Sequence, residues 1–254
     1  MTQTFYDYLA IPAQCQLNKP LFKKMFQEHA DLDVTDKKAL KDDIDKIRWV
    51  YTLKPSTLNI APYRDEAREY DEVAIIQINL TSANRTRRIA AFVHKAIPYP
   101  VMIVFSFADA IALSIADKRI NQADKAKWVV EDEWLTEWFN PNKPTDPQKQ
   151  FMVDMAIQKL PFINFYAFYE GIKNRILALN VASKTGGYSV ATPQKSQQRR
   201  ELLTQIAELE REVDELRSAL KKETQFNKRL ELNVAVKQAQ QQIKELEKQF
   251  GQPT

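Results

Sequence analysis

The chain contains one cysteine, two histidines and only four glycines in 254 residues. A lone Cys15 excludes an intramolecular disulfide, and one Cys with two His is too few for a zinc site of ordinary composition. So few glycines argue against phosphate-cradling loops, and GxxxxGK[ST], GxSxG and HExxH are all missing. No apolar run approaches the ~20 residues of a membrane-spanning helix. The N-terminus, MTQTFYDYLAIPAQ, carries Asp7 and no basic segment ahead of its apolar residues, so it does not read as a signal peptide. Together these absences predict a cytoplasmic protein with no cofactor, no metal and no membrane contact. Neither sign of charge prevails: 37 Lys and Arg stand against 33 Asp and Glu. That mild excess does not indicate nucleic-acid binding, which needs a clustered patch.

What is present predicts an α/β (α+β) N-terminal domain with a small mixed sheet over 1–184. A linker follows over 185–198, and then a helical hairpin or coiled coil over 199–250. Near the start, Leu21, Met25, Phe26 and His29 are spaced like one helix face within 18–32. Thr35 reads as the cap of a second helix bearing Leu40, Ile44 and Ile47. The β-branched and aromatic run RWVYTL then predicts a strand, broken by Pro55. DEVAIIQINL (71–80) predicts a strand buried on both faces. Ile89, Phe92, Val93 and Ile97 predict a helix over 84–97, stopped by Pro98 and Pro100. VMIVFSF (101–107) predicts a strand parallel to 71–80, since a crossover separates them. A tight turn at 108–110 leads to its hairpin partner, IALSIADKR (111–119). WVVEDEWLTEWF (128–139) predicts a strand and a short amphipathic piece holding Trp134 and Trp138. Two helices, 148–160 and 164–184, close the domain, and the adjacent Gly186 and Gly187 mark the linker.

From Arg199 to Phe250 there is neither Gly nor Pro. Leu202, Ile206, Leu209, Val213, Leu216 and Leu220 alternate spacings of four and three, as do Leu232, Val236, Ala239, Ile243, Leu246 and Phe250. These two runs form an assembly seam, but their frames differ by two residues, so one straight seam cannot serve both. Out-of-phase frames favour a hairpin turning near 222–226. The missing turn glycine favours one long helix in a dimer.

Chemical signals are sparse. Cys15 reads as a core residue, and His94 sits where a cation complements a helix C-terminus. A strand–helix–strand core raises the question of a metal-dependent nuclease. However, Gln77 and Asn79 stand where acids would be needed, with Asp65, Glu66, Asp71 and Glu72 only upstream. Arg85, Arg87 and Arg88 oppose the macrodipole at a helix start, which suggests phosphate contact. Lys95, Lys118 and Arg119 extend this nucleic-acid-binding candidate set, with Lys125 and Lys127 beyond them. The aromatic NFYAFYEG reads as core at helical spacing.

Five stretches taken together, FYDYLAIP, VHKAIPYPVMIVF, LSIADKRINQADKAK, INFYAFY and ETQFNKRLELNVAVK, resemble the bacterial domain-of-unknown-function 4391 family. The resemblance covers nearly the whole chain and carries no catalytic residues. It implies an accessory subunit in restriction-modification or phage-defence systems, with a helicase-like ATPase or a DNA methyltransferase as protein partner. The resulting expectation is a non-catalytic assembly subunit that docks on such a partner. Homo-oligomerisation, direct DNA binding and a divergent nuclease stay open beside it.

Overall fold

The computed structural model describes residues 2–122 and 128–250, without the side chains of His29, Pro193 and Gln194. Lys125 and Lys127, and the face position of His29, therefore lie outside the described residues. The chain divides into two units, Met1–Ile176 and Leu177–Thr254.

The first unit is built on a six-stranded mixed sheet. It opens with helix α1 (Thr2–Leu9), which buries Phe5, Tyr6 and Leu9. Strand β1 (Gln16–Leu21) and helix α2 (Lys23–His29) take the place of the single helix expected over 18–32. Pro20 explains the difference: it breaks a helix interior but is tolerated on the edge strand that β1 forms. Helix α3 (Val34–Asp42) is capped by Asp33, not Thr35, through a reciprocal box with Asp36. It also ends before Ile44 and Ile47, which open strand β2 (Ile44–Leu53). Their spacing mimicked a helix because a register shift between Ile44 and Lys46 returns both to the core. Pro55 starts the short helix α4 (Pro55–Leu58), a position where its missing N–H costs nothing.

A small ribbon, β3 (Tyr63–Arg64) with β4 (Glu69–Tyr70), precedes β5 (Val73–Leu80). Helix α5 (Thr86–Ala96) crosses over to β6 (Val101–Phe107), which runs parallel to β5 as expected. A two-residue turn with Ala108 at φ 48° leads into β7 (Ala110–Ile120), then β8 (Trp128–Leu135). The order is β1-β2-β5-β6-β7-β8. Trp134 lies within β8, and the chain after it stays extended, with Phe139 bridging to Ile111. The expected short piece holding Trp134 and Trp138 therefore prolongs the pairing with β7, with Trp134, Thr136 and Phe139 buried. Helices α6 (Asp146–Asp154) and α7 (Phe165–Thr185) follow.

One sheet face carries Ala74, Ile76, Ile78, Ile103 and Phe105 into a core with Ile89, Phe92 and Val93 of α5. The alternate residues Val73, Ile75, Met102, Val104, Leu113 and Ile115 are buried as well, so the central strands are covered on both faces.

The second unit begins within α7. Gly186, at φ +79°, closes that helix by donating its N–H to Ala182 O at 2.8 Å, a left-handed stop that glycine accepts without strain. Helix α8 (Pro193–Lys222) starts ahead of Arg199, with proline in its first turn. Helix α9 (Phe226–Gln249) returns beside it. The chain therefore turns at 223–225, as two helices packed together, in place of one long helix. Val213, Val236 and Ala239 are buried in the seam, with Leu209, Leu216 and Ile243 packed against them. Leu202 and Ile206 are buried, while Leu220, Leu232 and Leu246 are half-buried. The turn needs no glycine because Glu223 is extended and its carboxylate accepts the N–H groups of Thr224 and Gln225, each at 2.8 Å.

Candidate functional site

Successive residues of a strand point to opposite faces, and Asp117 and Lys118 of β7 each enter a different polar cluster. Towards α7, Asp117 accepts two hydrogen bonds from Lys173 Nζ, at 2.9 and 2.8 Å. Glu170, one turn earlier on α7, takes the same ammonium. The Lys173 nitrogen also lies 5.5 Å from the centre of the Trp134 ring. Lys173 is only 1% exposed, so its charge is compensated by two half-exposed carboxylates and an aromatic face. Beside it, the Tyr169 hydroxyl accepts from Ala116 N–H at 3.2 Å and lies 3.0 Å from Val101 O and 3.1 Å from Ala116 O. Burial, and then the nearby carboxylates, push the Tyr169 and Tyr70 hydroxyls upward, which keeps both protonated. Tyr63 stacks on Tyr166 at 4.9 Å, and the Arg68 guanidinium sits over Tyr166.

On the other face, the buried Lys118 ammonium donates to Ile97 O at 2.6 Å and Tyr99 O at 2.9 Å. It thereby satisfies carbonyls at the C-terminal end of α5. Burial lowers this lysine to about 7. Burial also raises the half-buried Glu133 to about 7, against the pull of Arg87, Lys95 and Lys118. His94 Nε2 is 2.9 Å from Ser114 Oγ, and its Nδ1 has no partner among the described residues. Burial, then Lys118, holds His94 well below the usual histidine value, so the ring is neutral.

Lys118 and Lys173 thus both direct their Nζ atoms at acceptors within the unit. Among the described residues no three His, Cys, Asp or Glu side chains gather as a metal would require. Two of the four candidate acids upstream of β5 are engaged as well. Asp71 pairs with Arg64, and Asp65 accepts from Tyr63 and from the Ala67 and Arg68 amides. Gln77 and Asn79 form an amide ladder: Tyr6 donates to Gln77, while Gln77 and Ser106 donate to Asn79.

The nucleic-acid candidates are dispersed. Arg85 forks onto the buried Asp43, and Arg88 bridges Asp33 and Asp36 at the cap of α3. Arg119 pairs with Glu131 on β8 at 2.7 Å, and Lys118 is interior. Of the six, Arg87 and Lys95 are the ones that stand exposed. Their placement explains RTRR without phosphate: two of its arginines tie α5 to the segment from Asp33 to Asp43.

Asp117, Glu170, Lys173 and Trp134 were missed as a group. The only local signal was Glu170 three residues before Lys173 on a helix face; the decisive partner lies 56 residues away. Three of the five stretches quoted above meet here. VHKAIPYPVMIVF supplies the Ile97, Tyr99 and Val101 carbonyls, LSIADKR supplies Asp117 and Lys118, and INFYAFY leads into Glu170 and Lys173.

No curated protein and no solved structure matches the chain. A family model described as a domain of unknown function, DUF4391, matches residues 9–243, which span both units. The chain belongs to the DUF4391 family.

Proposed function

We propose that the protein is a non-catalytic accessory subunit of a DNA-processing assembly. In this reading the first unit docks on a helicase-like ATPase or DNA methyltransferase, and the helical hairpin mediates assembly. The observation that carries it is a contrast within the first unit. Three charged side chains, Asp43, Lys118 and Lys173, are buried among its described residues, whereas several large apolar ones stand in solvent. Ile163 is 77% exposed, and next to it Phe162 borders an open groove of about 660 Å³ with Pro12, Leu58 and Ile157. An exposed apolar rim beside a groove is the kind of surface that protein partners cover.

The test is affinity capture of the tagged full chain from its own cells, comparing wild type with Phe162→Asp/Ile163→Asp. The expected result is an ATPase or methyltransferase retained by wild type and lost by the variant at unchanged helix content. Equal retention by both would overturn the docking site. Salt-sensitive DNA binding by the isolated chain, abolished by Arg87→Ala/Lys95→Ala, would favour the direct DNA-binding reading instead.

A further inference from the structure

The outward face of α9 bears a continuous exposed stripe: Leu230, Val234, Lys237, Gln241, Lys244 and Lys248. Its spacings alternate four and three, and Phe226 extends it towards the turn. No acid lies on this stripe; Glu231, Glu245 and Glu247 lie off it. Phe226 is 78% exposed, Leu230 57% and Val234 47%, three large apolar side chains on positions that a solvated helix fills with polar ones.

Helix α8 bears an exposed stripe of the opposite sign: Glu201, Gln205, Glu208, Glu212, Glu215 and Ala219. It also alternates four and three and holds no base. Gln205, Glu208, Glu212 and Glu215 border an open groove of about 690 Å³ that has Leu209 and Leu246 in its lining. The two stripes align antiparallel in one register. Glu201 then meets Lys248, Gln205 meets Lys244, Glu208 meets Gln241 and Glu212 meets Lys237. At the apolar end, Ala219 meets Leu230 and Val234 lies beside Glu215. No like charges meet.

We propose that the α9 stripe of one copy seats on the α8 stripe of a second copy of this chain. The Glu201–Lys248 and Glu212–Lys237 pairs set register and partner choice, and the contact of Leu230 with Ala219 adds apolar burial. A second copy is favoured over an unrelated protein because the complementary stripe, of matching length and phase, is already in the same sequence. The proposal rests on the assembly role given to the hairpin above, and it does not involve the docking groove of the first unit.

The test is sedimentation of three full-length proteins at low salt: wild type, Lys237→Glu/Lys244→Glu/Lys248→Glu, and Glu201→Lys/Glu208→Lys/Glu212→Lys. Wild type is expected to self-associate, each reversed protein to do so at least tenfold more weakly, and an equimolar mixture of the two to associate again. A wild type that stays monomeric at 100 micromolar, or reversed proteins that associate as wild type does, would overturn the proposal. A mixture that stays monomeric would overturn it as well. Should a triple variant lose helical signal, Leu230→Lys decides: tenfold weakening supports the pairing and unchanged association refutes it. A monomeric wild type that still retains the ATPase or methyltransferase would sink self-pairing and leave partner docking standing.

Discussion

Lys118 and Lys173 both end in the interior of the α/β unit, yet they are accommodated differently. Lys173 meets two carboxylates, while Lys118 meets two backbone carbonyls. Burial of an ammonium whose hydrogen bonds go only to carbonyl dipoles outweighs the pull of the nearby Glu133 and lowers Lys118 to about 7. Between that value and the ~10.4 of a free lysine, the unfolded chain binds a proton that the folded chain does not. Stability therefore rises with pH across this window. Urea unfolding between pH 7 and 10 is expected to show that rise in wild type and to lose it in Lys118→Met. The same variant is expected to be destabilised above pH 10 by about 1–3 kcal/mol, because two carbonyls lose their donor. A rise that persists in the variant would assign it to another group. His94 acts on the acid side. Its ring is held neutral, so protonation of the unfolded chain below about 6.5 lowers stability as pH falls.

At the scale of elements, strongly periodic segments were legible and their boundaries were not. β5, α5, β6 and β7 stand where alternation and helical spacing placed them, because each is dominated by one buried face or by burial on both. The misreading at Ile44 and Ile47 arose from a register shift, which only strand pairing reveals. The site was less legible still, because Asp117 and Lys173 come together only after β7 and α7 have packed. Gly171 illustrates how packing overrides local preference. Alanine is the better helix former by roughly 1 kcal/mol. A Cβ there, however, would meet Pro161 Cδ at 2.6 Å and Leu160 Cδ2 at 3.3 Å. Gly171→Ala is therefore expected to destabilise by about 1–3 kcal/mol in urea unfolding. A stabilised variant would mean that the segment at 160–161 yields freely.

At the scale of the molecule, the two units divide the work in the proposed account. The first buries Lys118 and Lys173 against its own acceptors and offers a rimmed groove. The second offers two charged stripes flanking a packed hairpin. The phase shift favoured a hairpin while the missing glycine favoured one long helix, and the outer stripes were not legible because they lie on solvent-facing positions outside the a and d seam. The central claim, that the chain works as part of an assembly, is tested most directly by native mass spectrometry of the tagged full chain as purified from its own cells at low salt. The account predicts a complex containing at least two copies of the 29.5 kDa chain together with an ATPase or DNA methyltransferase. A single unaccompanied chain of that mass would contradict it.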